Sequence, residues 1–354
     1  MKNGTIGTGV IEGFFGPQWP WQDRSLFLEQ IARVGGDFYI YAPKRDSYLR
    51  KEWQKTYPEH EFRRIENLKE RCREVGLAFG VGLTPFEAHH QWDTEVKTAL
   101  SRKLAELNTL GLDILGIFFD DMKAASGMQK IQTEIVKFTS DHTEAKIIFC
   151  PSYYSDDEIL DKVFGKRPSS YLEDIGRDIP PEVDIFWTGP KVISKEISRS
   201  HLERVSETLK RKPVLWDNSF ANDGPKNCKF LKFFPFTGKE PGVFEESSGW
   251  AFNLMNQPAL SEIMYESASN VLIKGVHPDT SFQKALLDHG GKNFAKFVTA
   301  HVKDFAKTSL DEIAPAFKNG LQESLVTCHH ERVKKEISGW LNGEYQVGPE
   351  CLTD

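Results

Sequence analysis

The sequence lacks the features that mark secreted, zinc-binding and membrane proteins. Its 354 residues include five cysteines, an odd number, and none has the CxxC or Cys/His spacing of a zinc site. No run of about 18 apolar residues occurs, and no apolar stretch followed by a cleavage site opens the chain. We therefore expect a cytoplasmic protein that has no disulfide framework, needs no metal or other cofactor and does not associate with a membrane.

An excess of basic residues is also missing. The formal net charge is −6, whereas a nucleic-acid partner would require a basic face that replaces the counterions of the phosphates. Hydrophobic residues make up 39% of the chain and charged residues 27%, which is typical of a globular protein. We expect no nucleic-acid partner, and the sequence leaves the oligomeric state open.

Eight short apolar runs alternate with helical patterns as far as about residue 275. The runs cover residues 9–15, 38–43, 77–83, 114–120, 146–151, 183–189, 213–218 and 250–255. Eight is the number of parallel strands that closes a (β/α)8 barrel. From residue 278 onward the pattern is helical. The sequence therefore predicts an α/β fold, with a TIM barrel over residues 1–277 and a small all-α C-terminal domain over residues 278–354.

Polar residues end several of these runs, and strand ends form the active sites of barrels. Asp120 ends the apolar run 114–120, which contains two aromatic residues, and Asp121 follows it. Two carboxylates this close cannot both ionise freely, so we expect the pKa of one to be raised, which would give a general acid–base pair. The stretch 216–223, WDNSFAND, offers a flat indole with amides and carboxylates, a combination that suits a sugar.

Other interpretations of these residues remain open at this point. An Asp after a strand can cap the next helix, and strand-end carboxylates can also hold Mg²⁺, as in a metal-dependent lyase or isomerase. Lys44 at the end of the second run argues against the metal. A catalytically silent carbohydrate-binding barrel is a further alternative, although such a protein has no use for a raised-pKa acid. The segment 228–249 is expected to be a packed loop rather than a rim of the site.

Seven ordered motifs resemble those of glycoside hydrolase family 84. They are GVIEGFFGPQW, YAPKRDSYLRKEW, FFDDM, FCPSYY, WTGPK, WDNSFAND and FNLMNQP, and they cover about residues 9–275. That family contains the O-GlcNAcases and bacterial β-N-acetylglucosaminidases, some of them labelled hyaluronidases. The resemblance implies a retaining exo-β-N-acetylglucosaminidase in which the 2-acetamido oxygen of the substrate attacks the anomeric carbon and forms an oxazoline. The substrate would be a GlcNAc-bearing glycan or glycoprotein.

The resemblance also implies roles for individual residues. Asp120 would polarise the acetamido N–H, and Asp121 would protonate the leaving oxygen and then deprotonate water. The expected substrate-binding residues are Gly13, Lys44, Tyr154, Trp216, Asn218, Asp223 and Asn253. Two departures from the family pattern stand out: Phe15 replaces a common Tyr, and Leu254 follows Asn253 where relatives often have Pro. Asn256 is therefore the alternative to Asn253.

Overall fold

The computed structural model describes residues 5–353 and contains a closed barrel of eight parallel strands. Each strand pairs with the next one along the chain, and the last pairs with the first. The strands are β1 (Gly7–Glu12), β2 (Phe38–Tyr41), β3 (Ala78–Leu83), β4 (Ile114–Phe118), β5 (Lys146–Cys150), β6 (Asp184–Trp187), β7 (Val214–Asp217) and β8 (Gly249–Phe252). All eight predicted strands are confirmed, although most end a few residues earlier than the apolar runs do.

Twelve α-helices accompany the strands within the described residues. They are α1 (Trp21–Val34), α2 (Glu59–Val75), α3 (Thr94–Asn108), α4 (Met128–Ser140), α5 (Glu158–Phe164), α6 (Tyr171–Asp178), α7 (Arg199–Leu209), α8 (Pro258–Lys274), α9 (Pro278–Ala300, broken at Gly291), α10 (Val302–Lys307), α11 (Pro315–Ser324) and α12 (Glu331–Leu341). None of them is both long enough and apolar enough to cross a membrane.

Phe118 fills the centre of the barrel beneath the strand ends. A Cβ on Gly82 or Gly116 would lie 2.3 Å from an atom of the Phe118 ring, so the absence of a side chain at these two positions makes room for the ring. The ring meets Trp216 edge-on, with 5.4 Å between the ring centroids. Because protein interiors are close-packed, this contact supports the indole from below.

The helices after α8 pack against the barrel. Glu336, on α12, accepts hydrogen bonds from the backbone N–H groups of Ala259 and Leu260, each at 2.9 Å. These N–H groups lie in the first turn of α8, where helical N–H groups have no partner within the helix. A side chain from α12 thereby caps the last helix of the barrel.

The segment 228–249 is anchored by buried side chains that alternate with partly exposed residues. Leu231, Phe233 and Phe236 are buried, and the Phe233 ring packs against those of Phe294 and Phe305 from the C-terminal helices. None of its residues lines the pocket described below. The segment is therefore a packed loop, as expected.

Candidate active site

All nine candidate residues line one pocket of about 570 Å³ at the C-terminal ends of the strands. Gly13 follows β1, Lys44 follows β2, and Asp120 and Asp121 follow β4. Tyr154 follows β5, and the others belong to β7, to the loop after β7 or to the loop after β8: Trp216, Asn218, Asp223 and Asn253. The barrel thus brings together residues that are up to 240 positions apart.

The two adjacent carboxylates face the same pocket because the chain turns between them. Successive side chains of an extended strand point to opposite faces, but Asp121 has a φ of 58°. This left-handed conformation is uncommon for any residue other than glycine and is often found at functional sites. It allows the side chains of Asp120 and Asp121 both to line the pocket.

Asp120 is buried and forms an ion pair with Lys44, whose Nζ donates a hydrogen bond to Oδ2 of Asp120. The second carboxylate oxygen, Oδ1, is also buried and accepts no hydrogen bond from any residue between 5 and 353. A buried acceptor without a donor is unfavourable by about 1–3 kcal/mol. Asp120 is therefore oriented by Lys44 and presents one acceptor for which the described residues supply no donor.

The pKa of Asp121 is raised above its usual range. Burial is the main cause, and the negative charge of Asp120 adds to it, while Lys44 and Arg50 oppose the shift. The hydroxyl of Tyr154 donates a hydrogen bond to Oδ1 of Asp121 over 3.1 Å. A carboxyl group with a raised pKa can donate its proton near neutral pH.

A chain of amide hydrogen bonds fixes the opposite wall. Oδ1 of Asn218 accepts from Trp216 Nε1 at 3.0 Å and from Asn253 Nδ2 at 2.9 Å, and Oδ1 of Asn253 accepts from the backbone N–H of Gly13 at 3.2 Å. Each side chain is thus held in one orientation. Asn256 lies outside the pocket lining, and its Nδ2 donates to the carbonyl of Phe15 at 2.8 Å.

Asp223 lies in the same wall and is held by the loop after β1. Its Oδ2 accepts a hydrogen bond from the backbone N–H of Phe15 at 2.9 Å. Burial raises the pKa of Asp223 to about 6, although the hydrogen bond from Phe15 opposes the shift. This partly buried side chain is therefore an acceptor that can change charge in the weakly acidic range.

Several pocket residues have no counterpart among the predictions. Cys150 ends β5 and Thr188 follows β6, so the strand-end rule could have found both. Val192 and Ile193 come from the loop after β6 and add apolar surface, whereas Cys351 and Thr353 come from the far end of the chain. Nothing in the sequence around Cys351 or Thr353 indicates that these residues reach the barrel mouth.

One group of residues within 5–353 has the composition of a metal site, and it lies away from this pocket. Glu262, His289 and His330 each offer a ligand atom within 4.8 Å of the others. However, Glu262 accepts from Arg332 at 2.8 Å, and Nε2 of His289 lies 2.9 Å from Glu266. The carboxylate of Glu262 is thus paired with the cation of Arg332, and His289 is paired with Glu266. We therefore interpret the group as a polar network between helices.

Comparisons with known proteins agree with this geometry. A family model described as beta-N-acetylglucosaminidase matches residues 8–306. The protein O-GlcNAcases of Rattus norvegicus and Mus musculus are each 30% identical to this chain over 255 residues, which is 68% of this chain and 27% of theirs. The chain thus spans little more than a quarter of the length of these curated relatives.

A similar solved structure is that of a mutant of the Thermobaculum terrenum O-GlcNAc hydrolase. It matches with a TM-score of 0.78 at 25% sequence identity, and the match covers 97% of this chain and 74% of that chain. The barrel strands and α8 end at Lys274. Because the match covers 97% of this chain, it also includes C-terminal helices beyond that residue.

Proposed function

Since this chain belongs to the beta-N-acetylglucosaminidase family of glycoside hydrolases, we propose that it removes terminal β-linked N-acetylglucosamine with retention of configuration. In this reaction the acetamido oxygen of the substrate attacks C1, and the bond from C1 to the leaving oxygen breaks. The oxazoline formed is then opened by water. Substrate-assisted hydrolysis of this kind needs no nucleophile from the enzyme.

The buried oxygen Oδ1 of Asp120 is the observation that carries this proposal. It lacks a hydrogen-bond donor within the described chain, and an acetamido N–H would supply one. Accepting this hydrogen bond makes the acetamido oxygen more nucleophilic and stabilises the positive charge that develops on the oxazoline. Lys44 holds the other oxygen, so Asp120 is already oriented before the substrate binds.

Asp121 is the proposed general acid and base. Its raised pKa keeps a proton available for the leaving oxygen. After the departure of the leaving group, the ionised carboxylate can take a proton from the attacking water. Tyr154, which donates to Asp121, restrains the carboxyl group during both steps.

The remaining residues are proposed to bind the sugar. Trp216 would form a wall for the N-acetyl group, and Asn218 would orient that group. Asp223, Asn253, Gly13 and Lys44 would contact ring hydroxyls. Because the side chains of Trp216, Asn218, Asn253 and Asp223 are already fixed by hydrogen bonds to one another or to the backbone, little conformational freedom is lost when the substrate binds.

We propose a protein or a glycan bearing N-acetylglucosamine as the substrate, and a cytoplasmic location. We also propose residues 278–354 as a small helical domain added to the barrel. The match to the Thermobaculum terrenum structure supports this organisation. It covers 97% of this chain, so the C-terminal helices have counterparts in that structure as well as the barrel.

The test compares two leaving groups. Wild type and Asp121→Asn would be assayed with 4-nitrophenyl β-N-acetylglucosaminide and with an alkyl glycoside of the same sugar. Loss of the general acid should lower kcat/KM for the alkyl glycoside by about 10²–10⁴-fold and affect the activated aryl glycoside much less. Asp120→Asn should impair both substrates, because the oxazoline step is common to them.

The same assay separates this function from the alternatives. Turnover that disappears with a chelator would favour a metal-dependent enzyme. Absence of turnover by wild type on both glycosides would favour a binding protein. Equal losses for the two Asn variants on every substrate would contradict the assigned roles.

A further inference from the structure

We propose that residues 347–353, here called the wall segment, close the pocket on the side opposite the general acid and so prevent binding of a sugar chain that continues beyond the terminal residue. This inference rests on the proposed function and adds to it the structural basis of selectivity for a terminal sugar. Three observations on the contacts of the segment support it.

The wall segment is anchored by an apolar contact. Val347 packs in a small buried cluster with Phe15 and Cys228, and Cys351 lies against the same cluster. The approach is close, because a Cβ on Gly16 would lie 2.8 Å from Cγ2 of Val347. The segment is therefore packed on the loops that follow β1 and β7.

One further contact and the lining of the pocket define the course of the segment. Oε1 of Glu350 lies 3.6 Å from Nζ of Lys51, in the loop after β2. The pair is exposed and adds little stability, but it marks the position of the segment over that loop. Cys351 and Thr353 line the catalytic pocket itself.

The position of these loops in the barrel gives the orientation. In the closed order of eight strands, β4 lies across the ring from β8. Asp121 follows β4, whereas the loops that hold the wall segment follow β7, β1 and β2, on either side of β8. The wall segment thus faces the general acid from the other side of the pocket.

The chemistry of the sugar completes the argument. The leaving oxygen on C1 must lie beside Asp121, because this carboxyl group protonates it. C4 is at the opposite end of a pyranose ring from C1, so the 4-hydroxyl points toward Asp223 and the wall segment. A further sugar attached at that hydroxyl would occupy the space of Cys351 and Thr353.

The experiment uses the whole 354-residue chain and two aryl glycosides. One carries N-acetylglucosamine, and the other carries the β-1,4-linked disaccharide of the same sugar. In the test variant, alternating Gly and Ser replace residues 347–353. Mass spectrometry would measure the ratio of intact disaccharide to monosaccharide released from the second glycoside. Wild type should release the monosaccharide first, and the variant should raise the ratio at least tenfold.

A second variant tests the same wall by adding bulk, in case the first one does not fold. Thr353→Trp should raise KM for the monosaccharide glycoside at least tenfold with a smaller effect on kcat, since the indole would enter the space at the 4-hydroxyl. Leu352→Trp is the matched control, because Leu352 is exposed and does not line the pocket. It should leave KM unchanged.

The outcomes separate the two proposals. A folded Gly/Ser variant that cleaves the monosaccharide glycoside but releases no disaccharide would overturn the role of the wall segment. An unchanged KM in Thr353→Trp would do the same. If wild type fails to cleave the monosaccharide glycoside, the proposed function itself is wrong.

Discussion

At the scale of single residues, the pocket combines one cation with three carboxyl groups. Lys44 is paired with Asp120, while burial raises the pKa values of Asp121 and Asp223. The raised pKa favours the protonated form of Asp121, which is the form that a general acid requires. The pocket therefore suits a reaction whose transition state gains positive charge, as an oxazoline-forming step does.

The raised pKa of Asp223 should make the stability of the protein depend on pH. The folded state holds this proton more tightly than the unfolded chain does, because the pKa rises from 3.8 to about 6. The contribution to the free energy of unfolding is therefore largest below the lower value and is lost as the pH rises through about 6. Asp223→Asn has no carboxyl group and should lack this loss.

Urea unfolding at several pH values between 4 and 7 would measure the effect. The stability of the variant minus that of wild type should increase with pH over this range, and the subtraction removes the contributions of groups that do not interact with Asp223. A constant difference would show that Asp223 has an ordinary pKa. The product N-acetylglucosamine has hydroxyls that can donate hydrogen bonds to the ionised Asp223. When added, it should stabilise wild type at the higher pH values and so reduce the difference in stability between variant and wild type.

At the scale of elements, strands β3 and β4 leave room for the ring of Phe118 inside the barrel. Glycines on both strands make this possible, and the ring in turn supports Trp216. The residues that fill the barrel thereby determine the position of a residue that forms its pocket. A change in the floor of the pocket should affect both stability and catalysis.

Gly116→Ala tests this coupling. The new Cβ would lie 2.3 Å from the Phe118 ring, so the ring must move toward its neighbours, and we expect a loss of about 1–3 kcal/mol in the free energy of unfolding. Activity should fall because Trp216 is displaced. Adding Phe118→Leu should restore part of the stability, since the smaller side chain leaves room for the methyl group.

Chemical unfolding and kcat/KM would be measured for both variants. If Gly116→Ala were as stable and active as wild type, the barrel interior would be less tightly packed than the structure shows. If the double variant were less stable than Gly116→Ala, the clash would involve atoms other than the ring.

At the scale of the whole molecule, α12 connects the C-terminal helices to the first and the last helix of the barrel, α1 and α8. Arg332 donates to Asp23 on α1 at 2.6 Å and to Glu262 on α8 at 2.8 Å. Glu262 is buried, and burial raises its pKa. Together with the cap that Glu336 places on α8, this bridge makes the barrel and the helical segment depend on each other.

Arg332→Met should therefore lower the free energy of unfolding by about 2 kcal/mol, because a buried carboxylate loses its counter-charge. This expected loss of stability is smaller than the usual loss for a fully buried ion pair, because Arg332 is partly exposed. Lys334→Ala is the matched control on the same helix, since its ion pair with Glu331 is exposed. The control should change stability by less than about 0.5 kcal/mol. Similar losses in the two variants would contradict the bridge.

The sequence was sufficient to predict the barrel and the pocket residues at the strand ends, because both follow from local patterns. Apolar runs mark the strands, and the barrel gathers the polar residues that follow them, such as Asp120 and Asn253. The wall segment was not predictable in this way, since its position depends on the packing of the C-terminal helices. The break between α11, which ends at Ser324, and α12, which begins at Glu331, is also not marked in the sequence, because no Gly or Pro lies between them.

The thiol of Cys150, in the pocket wall, bears on how the protein would withstand oxidants. Burial raises its pKa well above the ordinary value, and the nearby charge of Asp120 adds to the shift. Because the thiolate is the form that peroxides and alkylating reagents attack, this sulfur stays in its unreactive form. Burial, to which the charge of Asp120 adds, thus lowers the reactivity of Cys150 toward such reagents.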